Sequence, residues 1–330
     1  MNTRDDLPTA SLEVLRWRAM LLRQLREFFH QAGYWEVETP LLSQDTCVDA
    51  WLDPFEVPTS RTRYLQTSPE YCMKRLMTAG SDRIYQVAHA FRAGETGERH
   101  NPEFTLIEWY ALGEAHWDQM AFTERLVRAL AFEHGDPELQ AVVSPSITRL
   151  SYQAAFEQFL GVDVLQATAT ELEQIARHEF ARGDHGPVPD GLTGDLDGLR
   201  NLLLATFIEP ELKSRRAAFL YDFPISQGAL AQGRGLVAER FELYLDGLEV
   251  CNGYHELRDA QELRARIAVQ NERRILAGKS ALPVESRLLQ AMDFGLPPCS
   301  GVALGWERLL MWLRRTTAIS DVIAFPWDRA

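Results

Sequence analysis

The residues best able to do chemistry in this 330-residue chain are charged groups set beside apolar or glycine-bearing stretches. Arg308 follows Gly301-Val302-Ala303-Leu304-Gly305, where two glycines around an apolar triplet mark a strand end that a backbone or ligand approaches closely. Leu309, Leu310 and Leu313 recur at helical spacing, so Arg308 falls in the first turn of a helix over 306–315, where a cation opposes the helix dipole. A phosphate beside it makes that placement favourable; read alone, Arg308 is an ordinary surface arginine. Arg92, Arg99 and His100 occupy the polar loop 92–102, and such donors suit a polyphosphate. Glu242 and Glu249 flank Asp246-Gly247, a strong two-residue hairpin signal. Pairing across that turn sets Leu245 opposite Leu248, Tyr244 opposite Glu249 and Glu242 opposite Cys251. The two carboxylates are then diagonal neighbours on one face, about 7–8 Å apart at the backbone. So placed they converge on a hard cation such as Mg²⁺, with phosphate oxygens completing its shell, or they stay two solvated acids.

On the strand after the loop, Phe104, Leu106, Glu108 and Tyr110 share one face, where a carboxylate and a phenol are costly unless something polar meets them. Glu70, by its own stretch, is a favourable charge at a helix start.

These groups need elements to hold them. Residues 11–31 carry Leu12, Leu15, Ala19, Leu22, Leu25 and Phe29 on one helical face, with Gly33 as terminator and an extended segment 33–40 closed by Pro40. Residues 64–70 read as a strand running into a turn, with Pro69 and Glu70 opening a helix that ends near 79. Strands are expected over 83–91 and 103–110. Helical patterns cover 115–149, 151–160, 170–182 and 195–207, the last broken by Glu209-Pro210, with a Gly/Pro/Asp-rich loop at 183–194. A strand at 218–224, the hairpin within 237–254 and a charged helix over 259–276 follow.

With 46% hydrophobic and 25% charged residues the composition is that of a soluble globular protein, and the net charge of −13 argues against bulk attraction to nucleic acid or anionic membrane. Cys47, Cys72, Cys251 and Cys299 lie far apart without ligand spacing, which reads as reduced thiols of a cytoplasmic protein. Residues 1–8 have no apolar core of a signal peptide, and no run of about 18 apolar residues occurs to span a membrane.

Three stretches together resemble the signatures of class II aminoacyl-tRNA synthetases. The helix and Gly33–Pro40 segment is similar to the first, which forms the dimer interface in that family and so implies a homodimer. Phe91-Arg92, a glycine-bearing loop and Arg99-His100-Asn101-Pro102-Glu103-Phe104-Thr105 look like the second in its lysyl-specific form, and 301–308 matches the third. The resemblance implies an α+β fold, the class II catalytic core with an antiparallel β-sheet flanked by helices and no anticodon-binding domain. One domain then covers 1–330, with a mostly helical insertion at about 113–215.

For the site it implies ATP and Mg²⁺. Arg92 binds the α-phosphate, Arg99 the γ-phosphate and Phe104 stacks on adenine; Gly94, His100, Asn101, Glu249, Val250, Gly305 and Arg308 complete the ATP set. Arg92 and Arg308 are the catalytic cations, and Glu242 with Glu249 holds the metal. Where the family has glutamate two residues after the first arginine, this chain has Gly94, with Glu95 next door as a substitute. Ser68, Pro69, Glu70, Glu108, Tyr110, Asn252, Glu256 and Ala303 fall to the amino acid. Their acidic lining selects an ammonium side chain, hence lysine or β-lysine. The implied reaction is ATP-driven formation of an acyl-adenylate, carried by positioning and charge.

Lysyl-tRNA synthetases carry an N-terminal barrel for which the residues before the first signature leave no room. The core alone resembles their paralogues that attach (R)-β-lysine to a lysine ε-amine of translation elongation factor P. Ala303, where the tRNA enzymes have glycine, agrees, and one such methyl is worth about 1–3 kcal/mol in discrimination. tRNA and membrane are therefore not expected partners. The competing readings are a truncated tRNA-charging enzyme, an inactive regulatory paralogue (which Gly94 favours) and an ATP-dependent asparagine synthetase, which lacks the acidic lining.

Overall fold

The computed structural model describes residues 6–183 and 185–330; residues 1–5 of the N-terminal reading and Asp184 of the 183–194 loop lie outside it. Helix α1 (Leu12–Gln31) begins where the Ser11 hydroxyl caps Val14 N–H and ends before Gly33, whose φ of 81° favours glycine. The chain continues through β1 (Trp35–Glu36), β2 (Leu42–Ser43), β3 (Glu56–Val57), β4 (Arg63–Leu65), α2 (Glu70–Thr78), β5 (Arg83–Phe91) and β6 (Glu103–Leu112). Next come α3 (His116–His134), α4 (Pro137–Val143), β7 (Thr148–Ser151), α5 (Tyr152–Leu160), α6 (Ala169–Arg182), α7 (Leu196–Leu203) and α8 (Glu209–Ser214). The last third holds β8 (Ala217–Pro224), β9 (Gly233–Arg234), β10 (Val237–Leu245), β11 (Leu248–His255), α9 (Ala260–Leu276), α10 (Arg287–Asp293), β12 (Cys299–Gly305) and α11 (Trp306–Arg314).

One nine-stranded sheet runs β1-β5-β6-β12-β11-β10-β8-β7 with β9 on β10, and β2-β4-β3 form a small second sheet. The expected antiparallel core is present, with a parallel pair at each edge, β1 on β5 and β7 on β8. Parallel neighbours need long crossovers, and α5 to α8 supply the one between β7 and β8. On β6, alternation sends Ile107, Trp109 and Ala111 into the core shared with α1, α3 and α11, leaving Leu106, Glu108 and Tyr110 on the other face. α5 to α8 bury a separate apolar cluster, including Phe156, Leu199 and Leu203, against Ala218 and Leu220 of β8.

Four local expectations are corrected. The 115–149 run is not one helix: Gly135 turns at φ 84°, Asp136 caps α4 with Pro137 in its first turn, and 148–151 joins the sheet. Glu209-Pro210 does not end the helical path, because a π-helical turn at Leu204–Ile208 leads into α8, where the proline sits in a first turn that needs no N–H from it. The extended 33–40 segment keeps only two strand residues. In the hairpin, Leu245↔Leu248 and Tyr244↔Glu249 pair as expected, but Glu242 faces Asn252 and Leu243 faces Cys251, since the register shifts after Leu243 and leaves Val250 as an extra residue.

Candidate active site

That one-residue shift positions much of the site. Strict alternation puts Glu249 with Cys251 and Gly253, away from Asn252 and Tyr254. The bulge at Val250 turns Glu249 onto the face of Asn252 and Tyr254, beside β12 and β6. Two cavities open on this face, of about 350 and about 120 Å³, sharing Arg92, Asn252, Tyr254 and Ala303 as walls.

The larger cavity is lined by Arg92, Arg99, His100, Asn101, Phe104, Glu249, Val250, Gly305 and Arg308. Of the residues implied for ATP, Gly94 is not on its wall; it turns the loop at φ 81°, and Glu95 lines the cavity instead, 3.7 Å from Arg92 Nη1. The Arg92 guanidinium lies over the Phe104 ring at 5.0 Å, and its Nε is buried with no hydrogen-bond partner among the described residues. Arg308, one turn into α11, donates through Nη1 to Glu249 O at 2.9 Å and to its carboxylate at 3.3 Å. Its Nη2 stands 2.7 Å from His100 Nε2. A guanidinium only donates, so that nitrogen accepts, and loss of solvent, then the Arg308 charge, holds the His100 pKa below its ordinary value. Asn101 is tied by its amide to Glu103 O and receives Trp327 N–H, which anchors the end of the loop.

Glu242 lies behind the wall. Its carboxylate is 2.5 Å from Arg240 Nη2 and accepts the Tyr244 hydroxyl at 2.7 Å. Burial raises it to about 7; the Arg240 charge opposes this and the Glu249 charge adds to it. Among the described residues no three metal-type side chains gather into one cage; Glu249 is on the cavity wall and Glu242 is not.

The smaller cavity is lined by Ser68, Glu70, Glu108, Tyr110, Asn252, Glu256 and Ala303. Pro69 is not on its wall; it caps α2 and so sets Ser68 and Glu70 on either side of a turn. Ser68 donates to Glu108 Oε2 at 2.7 Å while accepting the Glu70 N–H, and Tyr110 donates to Glu108 Oε1 at 2.8 Å. Burial first, then the Glu70 charge, pushes Glu108 up to about 8 against those two bonds. Burial likewise raises Glu256 to about 7, with Lys74 opposing. A Cβ on Gly301 would lie 2.3 Å from the Tyr110 ring and 2.6 Å from Glu256 Oε1, so only glycine fits between them. Sequence reasoning missed Lys74, whose Nζ lies 2.5 Å from both Glu70 Oε1 and Glu256 Oε2. The signal was its position four residues after Glu70, on the face of α2 that buries Tyr71 and Met77. Arg240 was missed too, although it alternates with Glu242 on one strand face.

A cavity walled by four arginines and four carboxylates thus adjoins a smaller one rich in carboxylates, both on one face of the antiparallel sheet. The chain belongs to the class II tRNA synthetases (D, K and N), whose family model matches residues 7–329. It is 43% identical over 334 residues, 98% of each chain, to the elongation factor P--(R)-beta-lysine ligase of Edwardsiella ictaluri. It is 41% identical to the ligases of that name from Vibrio cholerae, over 340 residues and all of both chains, and from Erwinia tasmaniensis, over 334 residues, 98% of this chain and 97% of the relative. Among the described residues no helix is long and apolar enough to cross a membrane, and all four cysteines are free.

Proposed function

We propose that this ligase activates (R)-β-lysine, and α-lysine less well, with ATP as an acyl-adenylate and transfers it to the ε-amine of a lysine on translation elongation factor P. The observation that carries this reading is the junction of the two cavities at Arg92, which faces both. An amino acid whose ammonium groups enter the acidic side presents its carboxylate to that arginine, beside the α-phosphate of ATP on the cationic side. The carboxylate oxygen attacks the α-phosphorus and pyrophosphate leaves. The acceptor amine then attacks the acyl carbon, AMP leaves and the nitrogen gives up its proton. Arg92 and Arg308 stabilise the charge that develops, Arg99 and His100 hold the outer phosphates, and Phe104 offers its free ring face to adenine. The donor set fits a polyphosphate: the guanidiniums of Arg92, Arg99, Arg240 and Arg308 line one cavity, and the buried Arg92 Nε awaits an acceptor. Glu242 and Glu249 would hold Mg²⁺, which when bound neutralises phosphate charge.

Pyrophosphate exchange into ATP tests the activation step. Exchange should be driven by (R)-β-lysine better than by α-lysine, and silence with both isomers ends the reading. The acceptor is tested by offering labelled lysine with elongation factor P and, separately, with tRNA. Label on the protein is expected; label on tRNA alone overturns the assignment.

A further inference from the structure

Helix α2 buries a lysine beside residues of the apolar core. Lys74 is 1% exposed, next to the fully buried Met73 and Met77. Its ammonium bridges two acids from different parts of the chain, Glu70 at the start of α2 and Glu256 just after β11, at 2.5 Å each. The third acid, Glu108, is met only by the neutral hydroxyls of Ser68 and Tyr110. With the acids ionised, the carboxylates of Asp49, Glu70, Glu108 and Glu256 stand against the Lys74 ammonium and the Arg92 guanidinium, so the small cavity keeps two negative charges. An ion pair whose sole task is to fasten a helix leaves no such excess, and buried charge without a counter-ion is strongly disfavoured.

We infer that Lys74 is a positioning residue for the amino-acid substrate: it clamps Glu70 and Glu256 side by side as carboxylates and sets the cavity two charges negative. That charge complements an acid with two ammonium groups whose own carboxylate turns to Arg92. The inference rests on the activation reading above. Without a cation between them, two carboxylates in a dry cavity repel until one takes up a proton, and a protonated acid is a poor partner for a substrate ammonium. Around Lys74 and its two acids stand Glu108 and Tyr110 on β6, Tyr71 on α2, Tyr254 on β11, Cys299 on β12, Cys47 and Asp49 in the loop before β3, and Arg92 after β5, with Arg258 beyond Cys299. Burial raises both thiols and the phenols, so they stay neutral and cannot replace the ammonium.

The test is exchange kinetics on the full chain with Lys74→Met and Lys74→Arg, varying ATP and (R)-β-lysine from about pH 6 to about 9. Lys74→Met should raise KM for (R)-β-lysine about 30-fold near neutrality while KM for ATP stays within about twofold, since only the amino-acid side loses its clamp. Its kcat/KM should recover only at higher pH than in the parent, because Glu256 loses the ammonium that opposes its protonation, and Lys74→Arg should return that limb toward the parent position. Joint rises in both KM values with an unmoved acid limb mark a purely structural lysine and overturn the inference; unchanged kinetics do the same. Should thermal melting show Lys74→Met unfolded, Lys74→Met/Glu256→Gln removes both ends of the pair and restores the two-charge cavity. Its KM for (R)-β-lysine should lie below that of Glu256→Gln alone, which keeps Lys74 against one acid fewer, and an equal or higher KM overturns the inference. A parent silent with both isomers sinks the activation reading as well, whereas an active parent beside an unaffected Lys74→Met sinks this inference alone.

Discussion

The two cavities meet at Arg92 and are built on opposite plans. On the nucleotide side the charges are held loosely: Arg92 and Glu95 are 3.7 Å apart, Glu249 reaches Arg308 at 3.3 Å, and loop 92–102 supplies half the donors. On the amino-acid side Lys74 and Glu256 are sealed from solvent and each Glu108 oxygen accepts a hydroxyl. On the proposed function the first cavity takes a large, strongly charged ligand, which loosely held donors can adjust to. The second discriminates between small ligands of similar size, so its acids must be placed before the ligand comes. The comparison also says where substitutions should act: changes on the loose side cost rate, and changes on the sealed side cost selectivity and respond to pH.

The largest effect is expected on the loose side. Arg308→Ala removes a cation from the first turn of α11 and frees both Glu249 and His100. Its kcat in pyrophosphate exchange should fall about 10²–10³-fold, the range for losing one transition-state donor. KM for lysine should change little. A rise in lysine KM larger than the fall in kcat erases the division between the cavities.

A smaller effect separates the two sides by pH. Burial raises Glu256 to about 7 and Glu108 to about 8, well above unfolded carboxylates, so the folded protein binds more protons than the unfolded chain between those limits. Stability contributed by these groups is therefore greatest at low pH and falls as pH rises from about 5 toward about 8. The melting temperature of the ligand-free protein should show that decline, flatter in Glu108→Gln. Lysine should restore stability most at the upper end, where both acids are ionised and Glu108 is met only by hydroxyls. An equal decline in Glu108→Gln removes Glu108 from the account.

Much of this division was legible in the residues. Alternation on β6 put Glu108 and Tyr110 on one face, and the 92–102 loop gathered its donors by composition alone. Two features were not legible, for different reasons. The bulge at Val250 costs a ladder pairing and is fixed by the neighbouring strands β12 and β8, so the sequence around Asp246-Gly247 points to the unbulged register. Local reading made Glu70 a helix-start charge and only the resemblance assigned it to the amino acid, because its partner Glu256 is 186 residues away and the lysine joining them is invisible to local reading. The π-turn before Pro210 belongs with these, since proline breaks helices locally and only the packing of Leu203, Leu204 and Ile208 keeps this path helical.

The smallest expected effect bears on the wall the two cavities share. Ala303 lines both, lies opposite Asn252 on β11 and Glu108 on β6, and stands two residues from Gly301, where no side chain fits. Its methyl stands on the wall common to both cavities, where the proposed function puts the backbone of the amino acid. α- and β-lysine differ there by the position of one ammonium, so Ala303→Gly should lower KM for α-lysine about tenfold and leave kcat for (R)-β-lysine within about twofold. A methyl set at a junction shifts preference without changing charge, so the pH profile should not move. If Ala303→Gly shifts the acid limb while leaving isomer preference intact, the junction is part of the electrostatic side and the two-cavity division has to be redrawn around Asn252 and Tyr254.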